Sequence, residues 1–263
     1  MSPALTRRET VAGVSISHPD RVLFPVAGIT KLGLARYYES IADWVLPHLV
    51  DRPLTLVHCP KGIPVGGARK GVDCVFMKHA KLWGPSAIRR ERIREKTKVG
   101  EYLVADSLPA LISLAQMDIL EIHTWNSRCA RVEQPDRIVV DLDPGERVGW
   151  KAVVDAAILV RRRPAMFTER FAKVGREDKI LIDYLRNNRT NTSIAAFSTR
   201  AKPDATVSVP ITWAELSRLG TPSRFTIAKV PQRLARLTAD PWKAYWDTKQ
   251  TLPRAAAAAL ENL

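Results

Sequence analysis

The sequence has few cysteines and no long apolar segment. Its three cysteines, Cys59, Cys74 and Cys129, form no C-x-x-C pair, so we do not expect a zinc-binding module. An odd number leaves one thiol unpaired in any arrangement, which fits a reducing compartment. No stretch approaches the ~18 consecutive apolar residues of a membrane span, and MSPALTRRET lacks the apolar core of a signal peptide. We therefore expect a cytoplasmic protein without a membrane partner.

Acidic residues are scarce relative to basic ones. The 263 residues include 41 Lys and Arg against 27 Asp and Glu, which gives a formal net charge of +14. Such an excess is typical of proteins that bind polyanions, nucleic acids above all. A hydrophobic fraction of 46% excludes disorder of the whole chain, and the length suits one or two domains.

The apolar periodicity alternates between helical and strand spacing along the chain. A helix is predicted from Thr30 to near Pro47, and a second one follows the N-cap Ser107. Thr212 and Glu215 form the capping box of a later short helix. The other predicted elements are strands at 54–59, 120–125, 137–143, 179–184 and 192–198 and a helix at 150–162. This interleaving predicts an α+β fold.

The chain shows no internal repeat and no long linker. We expect a loose N-terminal lead-in at residues 1–13, one domain at 14–250 and an Ala-rich tail at 251–263. Within the domain, a boundary near residue 135 is expected to separate an N-terminal module from a module that carries acidic strands.

Three aspartates stand inside otherwise apolar predicted strands. Asp141 and Asp143 are two residues apart in RIVVDLDPG, so they project from one face of a strand, and Asp183 stands in KILIDY. Buried carboxylates need compensation, and carboxylate oxygens suit Mg²⁺ or Mn²⁺ in two-metal phosphoryl transfer. A salt-bridged pair or a strand-end turn is the alternative. A sugar-nucleotide transferase also uses D-x-D, but it does not explain the positive charge.

Basic residues are spread over several segments. The segment 86–98, SAIRRERIREKTK, holds six of them, and we interpret it as a solvated helix face or hairpin. Aromatic residues accompany other cations: Phe76 lies near Lys78 in the sequence, and Trp125 lies near His123. An aromatic ring beside a cation can stack on a base while the cation holds its phosphate, although core packing is the alternative for each ring.

Several segments in a fixed order resemble a known family. These segments are SHPDRVLFP, GITKLGLARYYESIADWVLPHLVDRPLTLVHCPKG, VFMKHA, EIHTWNS, VVDLDPG, ILIDYLRN and VPITWAEL. Together, over about residues 14–246, they resemble the polymerase domain of bacterial DNA ligase D, an archaeo-eukaryotic primase-type polymerase of non-homologous end joining. The resemblance implies a primase-polymerase-like fold, with mixed sheets flanked by helices, and nucleotide addition at DNA breaks with Mn²⁺ or Mg²⁺.

The resemblance also implies roles for individual residues. Asp141, Asp143 and Asp183 match the catalytic metal ligands, and His123 and Arg200 match ligands of the incoming nucleoside triphosphate. Arg21 and Lys31 match DNA-binding positions that hold the 5′-phosphate of a DNA end. Phe76 matches an aromatic residue that packs on the template base, and the neighbouring Lys78 is a further DNA-binding position.

The sequence departs from the family pattern in one long block. Relatives carry a T-S/T-G-G-K-G-L-H-like segment whose Ser, Lys and His bind the triphosphate, and no S-G-x-K-G-L-H string occurs here. RRRP at 161–164 joins what the family keeps apart, so we expect a truncated C-terminal module, weakened binding of nucleoside triphosphates and very slow or absent extension. Arg161 to Arg163 are the nearby candidates to replace the lost lysine. His58 also replaces a stronger base, and Val75 replaces a second aromatic residue.

Two functions follow from these features. The first is a polymerase domain without its own ligase or nuclease module, for which a separate ligase and an end-binding protein are candidate partners. The second is a non-catalytic module that binds DNA ends through Arg21, Lys31 and Phe76. Nucleotide binding separates them, because only the polymerase binds a nucleoside triphosphate.

Overall fold

The computed structural model describes residues 9–67, 73–79, 85–162 and 180–248. Its strands in chain order are β1 (Glu9–Val11), β2 (Val14–Ile16), β3 (Val22–Phe24), β4 (Ile29–Thr30), β5 (Leu54–His58), β6 (Val75–Met77), β7 (Arg89–Arg94), β8 (Val99–Val104), β9 (Ile119–Trp125), β10 (Asp141–Pro144), β11 (Ile180–Asp183) and β12 (Thr192–Ile194). The helices are α1 (Lys31–Ser40), α2 (Ala42–Leu49), α3 (Leu108–Gln116), α4 (Trp150–Arg162), α5 (Trp213–Arg218), α6 (Val230–Leu234) and α7 (Lys243–Asp247). The predicted α+β class is confirmed.

A four-stranded antiparallel sheet forms the centre of the described fold, in the order β12-β9-β5-β6. Strand β9 is buried at every position except His123, which is half-buried, so side chains on both faces of this strand are covered. Leu56 of β5 lies opposite Ile122 of β9, and both are almost fully buried. Burial on both faces explains why β9 is nearly continuous in apolar residues instead of alternating.

Helices α1 and α3 supply the main cover of this core, and both begin at side-chain caps. Thr30 Oγ1 accepts a hydrogen bond from the Gly33 amide, and the predicted N-cap Ser107 accepts one from the Ala110 amide. The capping box of Thr212 and Glu215 at α5 is also confirmed. The main core includes residues from Val11 to Leu234, so it draws on both sides of residue 135. The division into two modules stays a prediction.

The long helix predicted from Thr30 is in fact two helices. The chain breaks at Ile41, whose φ of −121° lies outside the helical range, and α2 then continues past Pro47 to Leu49. Proline lacks an amide proton and therefore removes one hydrogen bond of the last turns without ending the helix at once. The prediction of a single helix was wrong, although the predicted end near Pro47 lies two residues from the observed end at Leu49.

The acidic strand is shorter than predicted. Strand β10 begins at Asp141, because the side-chain amide of Asn187 hydrogen-bonds to the backbone of Val139. The Asn187 Oδ1 accepts from the Val139 amide at 2.7 Å, and its Nδ2 donates to the Val139 carbonyl at 2.8 Å. A side chain thus replaces the neighbouring strand before Asp141. The predicted strands at 179–184 and 192–198 shorten to β11 and β12, the latter ending before Phe197, which has a φ of +65°.

The structure decides two further expectations. Residues 86–98 belong to a hairpin, in which β7 pairs with β8, and not to a helix face. Cys59 and Cys74 form a disulfide, which contradicts the expectation of reduced thiols, and Cys129 is a free cysteine. Spacing missed this bond because the antiparallel pairing of β5 and β6 brings together residues 15 positions apart.

Order begins earlier than Val14, since β1 pairs with β2 from Glu9 onward. Within the described ranges, no helix is both long enough and apolar enough to cross a bilayer. The predicted tail at 251–263 lies outside the described residues.

Candidate active site

A cleft of about 650 Å³ opens between the acidic strands and the edge of the central sheet. Asp141 and Asp143 of β10 contribute its acidic wall. Basic side chains face the same space from other elements: His123, Arg137, Arg186, Arg200 and Lys202. The cleft therefore combines carboxylates that can hold cations with cations that can hold phosphates.

The register of β10 and β11 places the three aspartates on one face. Asp141 lies directly opposite Asp183, and Asp143 lies opposite Leu181, two residues farther along the same strand as Asp141. Side chains at directly opposed and at alternate positions point to the same side of a sheet. The arrangement that the sequence predicts for the three acids thus follows from strand pairing.

Arg186 lies against two of these acids. It belongs to the short 3₁₀ helix Tyr184–Asn187 that directly follows β11. Its Nε donates to Asp141 Oδ2 at 2.8 Å and lies 3.0 Å from Asp183 Oδ2. The salt-bridged alternative for Asp141 is therefore realised in this structure.

The acids fit a divalent cation by donor type but are not gathered around one point. Asp183 Oδ1 is buried and has no hydrogen-bond partner, which is costly for a carboxylate oxygen. Carboxylate oxygens are the ligands that Mg²⁺ and Mn²⁺ prefer. Across the described ranges, no group of three acidic, histidine or cysteine side chains is close enough to hold a metal ion. A metal site here needs Arg186 to move and Asp143 to approach the other two aspartates.

His123 and Arg200 meet at a glutamate that the sequence interpretation missed. Glu121 is 9% exposed, its Oε2 lies 2.9 Å from His123 Nε2, and its Oε1 accepts from Arg200 Nε at 3.3 Å and from the Ala201 amide at 2.6 Å. Burial acts to raise the pKa of Glu121, but these hydrogen bonds and the charge of Arg200 bring it below its usual value. An ionised Glu121 thus orients both side chains. A lone acid in the apolar segment ILEIHTW was the available signal.

Phe76 packs against the same histidine, His123, which lines the cleft. Its ring is 45% exposed and stands edge-on to His123, with the ring centroids 5.4 Å apart. Lys78 follows on the same segment and is exposed. A free aromatic face next to a cation can stack on a nucleobase. The structure thus places Phe76 beside His123, which is predicted to bind the nucleotide.

Arg21 and Lys31 form a separate cluster around Asp118. Lys31 is 2% exposed, and its ammonium lies 2.8 Å from Asp118 Oδ1 and donates to the Gln116 carbonyl at 2.8 Å. Arg21 is more accessible, since a third of its side chain is exposed, and it donates to Asp118 Oδ2 at 3.0 Å. Of the two predicted phosphate ligands, Arg21 alone offers an accessible charge.

Aromatic residues and Arg137 form the remaining wall. Trp242 and Tyr245 line the cleft from the C-terminal segment, and both contribute to a cluster with Trp246 and the buried His48. Burial and the neighbouring Arg52 lower the pKa of Arg137 to about 10, while its guanidinium donates to the Trp125 carbonyl at 2.8 Å. No local sequence pattern indicated this wall, because its members are distant along the chain.

Of the predicted substitutes for the family lysine, Arg161 is not among the described residues that line the cleft. Arg161 stacks over the Trp213 ring, 4.7 Å from its centroid. Arg163 falls outside the described residues, as does the rest of the segment up to residue 179.

Comparison with protein families gives one match. Residues 30–163 and 156–242 match the model of the LigD primase-polymerase domain. The two matched segments overlap at residues 156–163, which include the three arginines of the Arg-Arg-Arg-Pro join.

Curated relatives are multifunctional or bifunctional non-homologous end joining proteins. The multifunctional non-homologous end joining protein LigD of Pseudomonas aeruginosa is 32% identical over 298 aligned residues, covering 94% of this chain and 34% of that protein. The protein of the same name from Mycolicibacterium smegmatis is 27% identical, with 78% of this chain and 32% of that protein covered. The bifunctional LigD of Bacillus subtilis is 24% identical, with 82% and 42% covered. The chain thus spans about a third of the length of the first of these relatives.

A solved structure shares the fold. The polymerase domain from Mycobacterium tuberculosis ligase D, in complex with DNA, superposes with a TM-score of 0.70 at 23% identity, covering 88% of this chain and 97% of that one. The mixed α and β architecture therefore matches that domain over most of the chain.

Proposed function

Because the chain belongs to the family of LigD primase-polymerase domains, we propose that it is a nucleotidyltransferase of non-homologous end joining. In this proposal it adds nucleotides to primer ends at DNA breaks. The observation that carries the proposal is the cleft that Asp141 and Asp143 line together with a set of cations, with Asp183 directly opposite Asp141 in the strand pair. The net charge of +14 suits a nucleic-acid substrate.

The aspartates are the proposed ligands of Mn²⁺ or Mg²⁺. When bound, such ions activate the attacking primer hydroxyl and neutralise charge on the transferred phosphate. Asp141 and Asp143 hold the cations from β10, and Asp183 completes the site from β11. The buried, unpaired Asp183 Oδ1 supports this role, since a bound cation satisfies it.

The cations opposite the acids are the proposed triphosphate ligands. His123 and Arg200 are held in place by the ionised Glu121, so they face the cleft without having to reorganise. Phe76 packs on the template base next to His123. Lys202 and Arg137 line the same space and can supply charge that the S-G-x-K-G-L-H block supplies in relatives.

The DNA end is the proposed ligand of the Arg21 cluster. Arg21 binds the 5′-phosphate of a downstream strand, and Lys31 positions Asp118, which in turn orients Arg21. The exposed Lys78 contacts the DNA backbone near the template. A ligase and an end-binding protein are proposed partners, because sealing a break requires both activities.

Primer extension on a gapped duplex with a 5′-phosphate tests the proposal. We expect extension that requires Mn²⁺ or Mg²⁺ and is abolished by Asp141→Asn combined with Asp143→Asn. The variant should still bind the gapped DNA, because the end contacts lie elsewhere. Arg36→Ala, which removes an exposed charge from α1, serves as the control variant. Extension that persists in the double variant contradicts the assignment of the acids.

A second candidate function, a non-catalytic module for DNA ends, is favoured by two observations. Arg186 forms ion pairs with Asp141 and Asp183, and the sequence has no S-G-x-K-G-L-H block. Calorimetric titration with a nucleoside triphosphate and Mn²⁺ distinguishes the two functions. Saturable binding that weakens in Arg200→Ala supports the polymerase, and absence of binding with intact affinity for gapped DNA supports the end-binding module.

A further inference from the structure

Arg186 occupies the space between two carboxylates that face each other across a strand pair. Asp141 and Asp183 are directly opposite in the β10–β11 register, where two like charges repel. The Arg186 Nε lies within 3.0 Å of a carboxylate oxygen of each. Its guanidinium thus supplies the positive charge that keeps the two aspartates together.

The guanidinium satisfies the acids only in part. Asp183 Oδ1 stays buried without a hydrogen-bond partner while Oδ2 faces Arg186. An arginine side chain carries one charge and donates in a single plane, whereas a divalent cation carries two and accepts oxygen ligands from all sides. The pair of aspartates therefore has unused capacity for a cation.

Arg186 can move off the aspartates without departing from the cleft, since its further hydrogen bond, from Nη1 to the Thr192 carbonyl, is long at 3.4 Å. Its side chain is 42% exposed, and it lines the cavity together with His123 and Arg200. An arginine has enough rotatable bonds to move its guanidinium by several ångströms while its backbone stays in place.

We propose that Arg186 is an internal counter-ion of the metal site, which holds Asp141 and Asp183 together in the metal-free protein and must leave them before a divalent cation binds. The inference rests on the metal role of the aspartates proposed above. Displacement moves one positive charge from the acids to the side of the cleft that faces the triphosphate. Arg186 thereby becomes a positioning residue that couples occupancy of the metal site to recognition of an anionic substrate.

Titration of the full chain with Mn²⁺ alone, followed by the electron paramagnetic resonance signal of free Mn²⁺, tests the inference. Removal of a competing side-chain cation should tighten metal binding, so we expect Arg186→Gln to bind Mn²⁺ about tenfold more tightly, which corresponds to about 1.4 kcal/mol. Arg200→Gln is the matched control, because it removes the same charge from the same cleft but contacts Glu121 instead of the aspartates. It should change the affinity less than threefold.

Thermal unfolding gives a second, independent measurement. In EDTA, Arg186→Gln should unfold at a lower temperature than the unmodified chain, since its aspartates repel without a counter-ion. Added Mn²⁺ should raise its unfolding temperature by more than it raises that of the unmodified chain. Arg186→Lys, which retains a charge on a shorter side chain, should bind Mn²⁺ with intermediate affinity and serves if the glutamine variant does not fold.

The outcomes separate this inference from the proposed function. Equal Mn²⁺ affinity in the unmodified chain and in Arg186→Gln, with weaker binding in Asp141→Asn, overturns the role of Arg186 and leaves the metal site standing. Weaker Mn²⁺ binding in Arg186→Gln than in the unmodified chain likewise overturns the role of Arg186. No saturable Mn²⁺ binding in any variant overturns the metal site and, with it, the inference.

Discussion

Two clusters in this molecule have the same chemistry, since cationic side chains form ion pairs with aspartate in both. They differ in burial. The interior cluster consists of Lys31, Arg21 and Asp118, in which Lys31 is 2% exposed. The cleft cluster consists of Asp141, Asp183 and Arg186, in which the side chain of Arg186 is 42% exposed. Asp118 Oδ1 and Asp183 Oδ1 are both buried without a hydrogen-bond partner, but Asp118 Oδ1 lies 2.8 Å from the Lys31 ammonium, so the two clusters differ chiefly in the exposure of their cations.

The difference indicates which cluster stabilises the fold and which one can exchange its cation. A buried pair cannot lose one partner without leaving an uncompensated charge in the interior. A pair at the surface of a cleft contributes little to stability, because water screens the charge that remains. Lys31 and Asp118 are therefore fixed parts of the core, and Arg186 is a removable counter-ion.

The largest expected effect is on stability of the interior cluster. Asp118→Asn should lower the free energy of unfolding by about 3 kcal/mol, because it leaves the Lys31 ammonium without its carboxylate. Asp183→Asn should change it by less than about 1 kcal/mol in metal-free buffer. Urea denaturation in EDTA measures both. Equal losses in the two variants would remove the distinction between the clusters.

His48 is an intermediate case, since it lines the cleft but is buried and neutral. Burial, and to a smaller extent the nearby Arg137, lowers the pKa of His48 to about 4. As the pH falls through about 6.5, the unfolded chain takes up a proton that the folded chain does not, so stability is full above that pH and decreases toward pH 4. We expect a loss of about 2 kcal/mol between about pH 7.5 and pH 5.

Urea denaturation at the two pH values measures this loss. His48→Phe keeps an aromatic ring beside Trp246 but has no proton to bind, so it should lose less stability than the unmodified chain over the same interval. An identical pH dependence in the two proteins would assign the effect to other groups.

The smallest expected effect concerns the accessible member of the interior cluster. Arg21→Ala should remove about tenfold of the preference for a gap with a 5′-phosphate over one with a 5′-hydroxyl, which is about 1.4 kcal/mol. It should also make the slope of log affinity against log salt less steep by about 0.9, as expected for one phosphate contact. Fluorescence anisotropy with both gapped duplexes measures the two quantities, and an unchanged preference rules out the phosphate contact.

The sequence predicted the elements whose signals are local. Ser107, Thr212 and Glu215 cap their helices through hydrogen bonds within a few residues, and β9 carries a long apolar run, so caps and periodicity were sufficient. The placement of Asp141 opposite Asp183 also follows from two strands that each carry an acid.

The parts that the sequence did not predict depend on contacts between distant segments. Asn187 pairs with the backbone of Val139, 48 residues away, and thereby shortens the acidic strand. The Cys59–Cys74 disulfide and the burial of Lys31 likewise depend on how strands and helices meet. A family motif matched Lys31 to a phosphate ligand, but a motif contains no information on exposure.

The direct pairing of Asp141 with Asp183 has a consequence for how such domains change in length during evolution. A slip by one residue would turn every side chain of a strand to the opposite face, so the register is fixed by the strands themselves. Loop closure depends only weakly on the length of the connection between two strands, since halving that length alters the closure free energy by about 0.6 kcal/mol. The alignment with the Pseudomonas protein spans 298 positions, more than the 263 residues of this chain, so that relative carries segments that this chain lacks. Insertions and deletions between the acids can therefore accumulate in descendants while the carboxylates keep their mutual geometry.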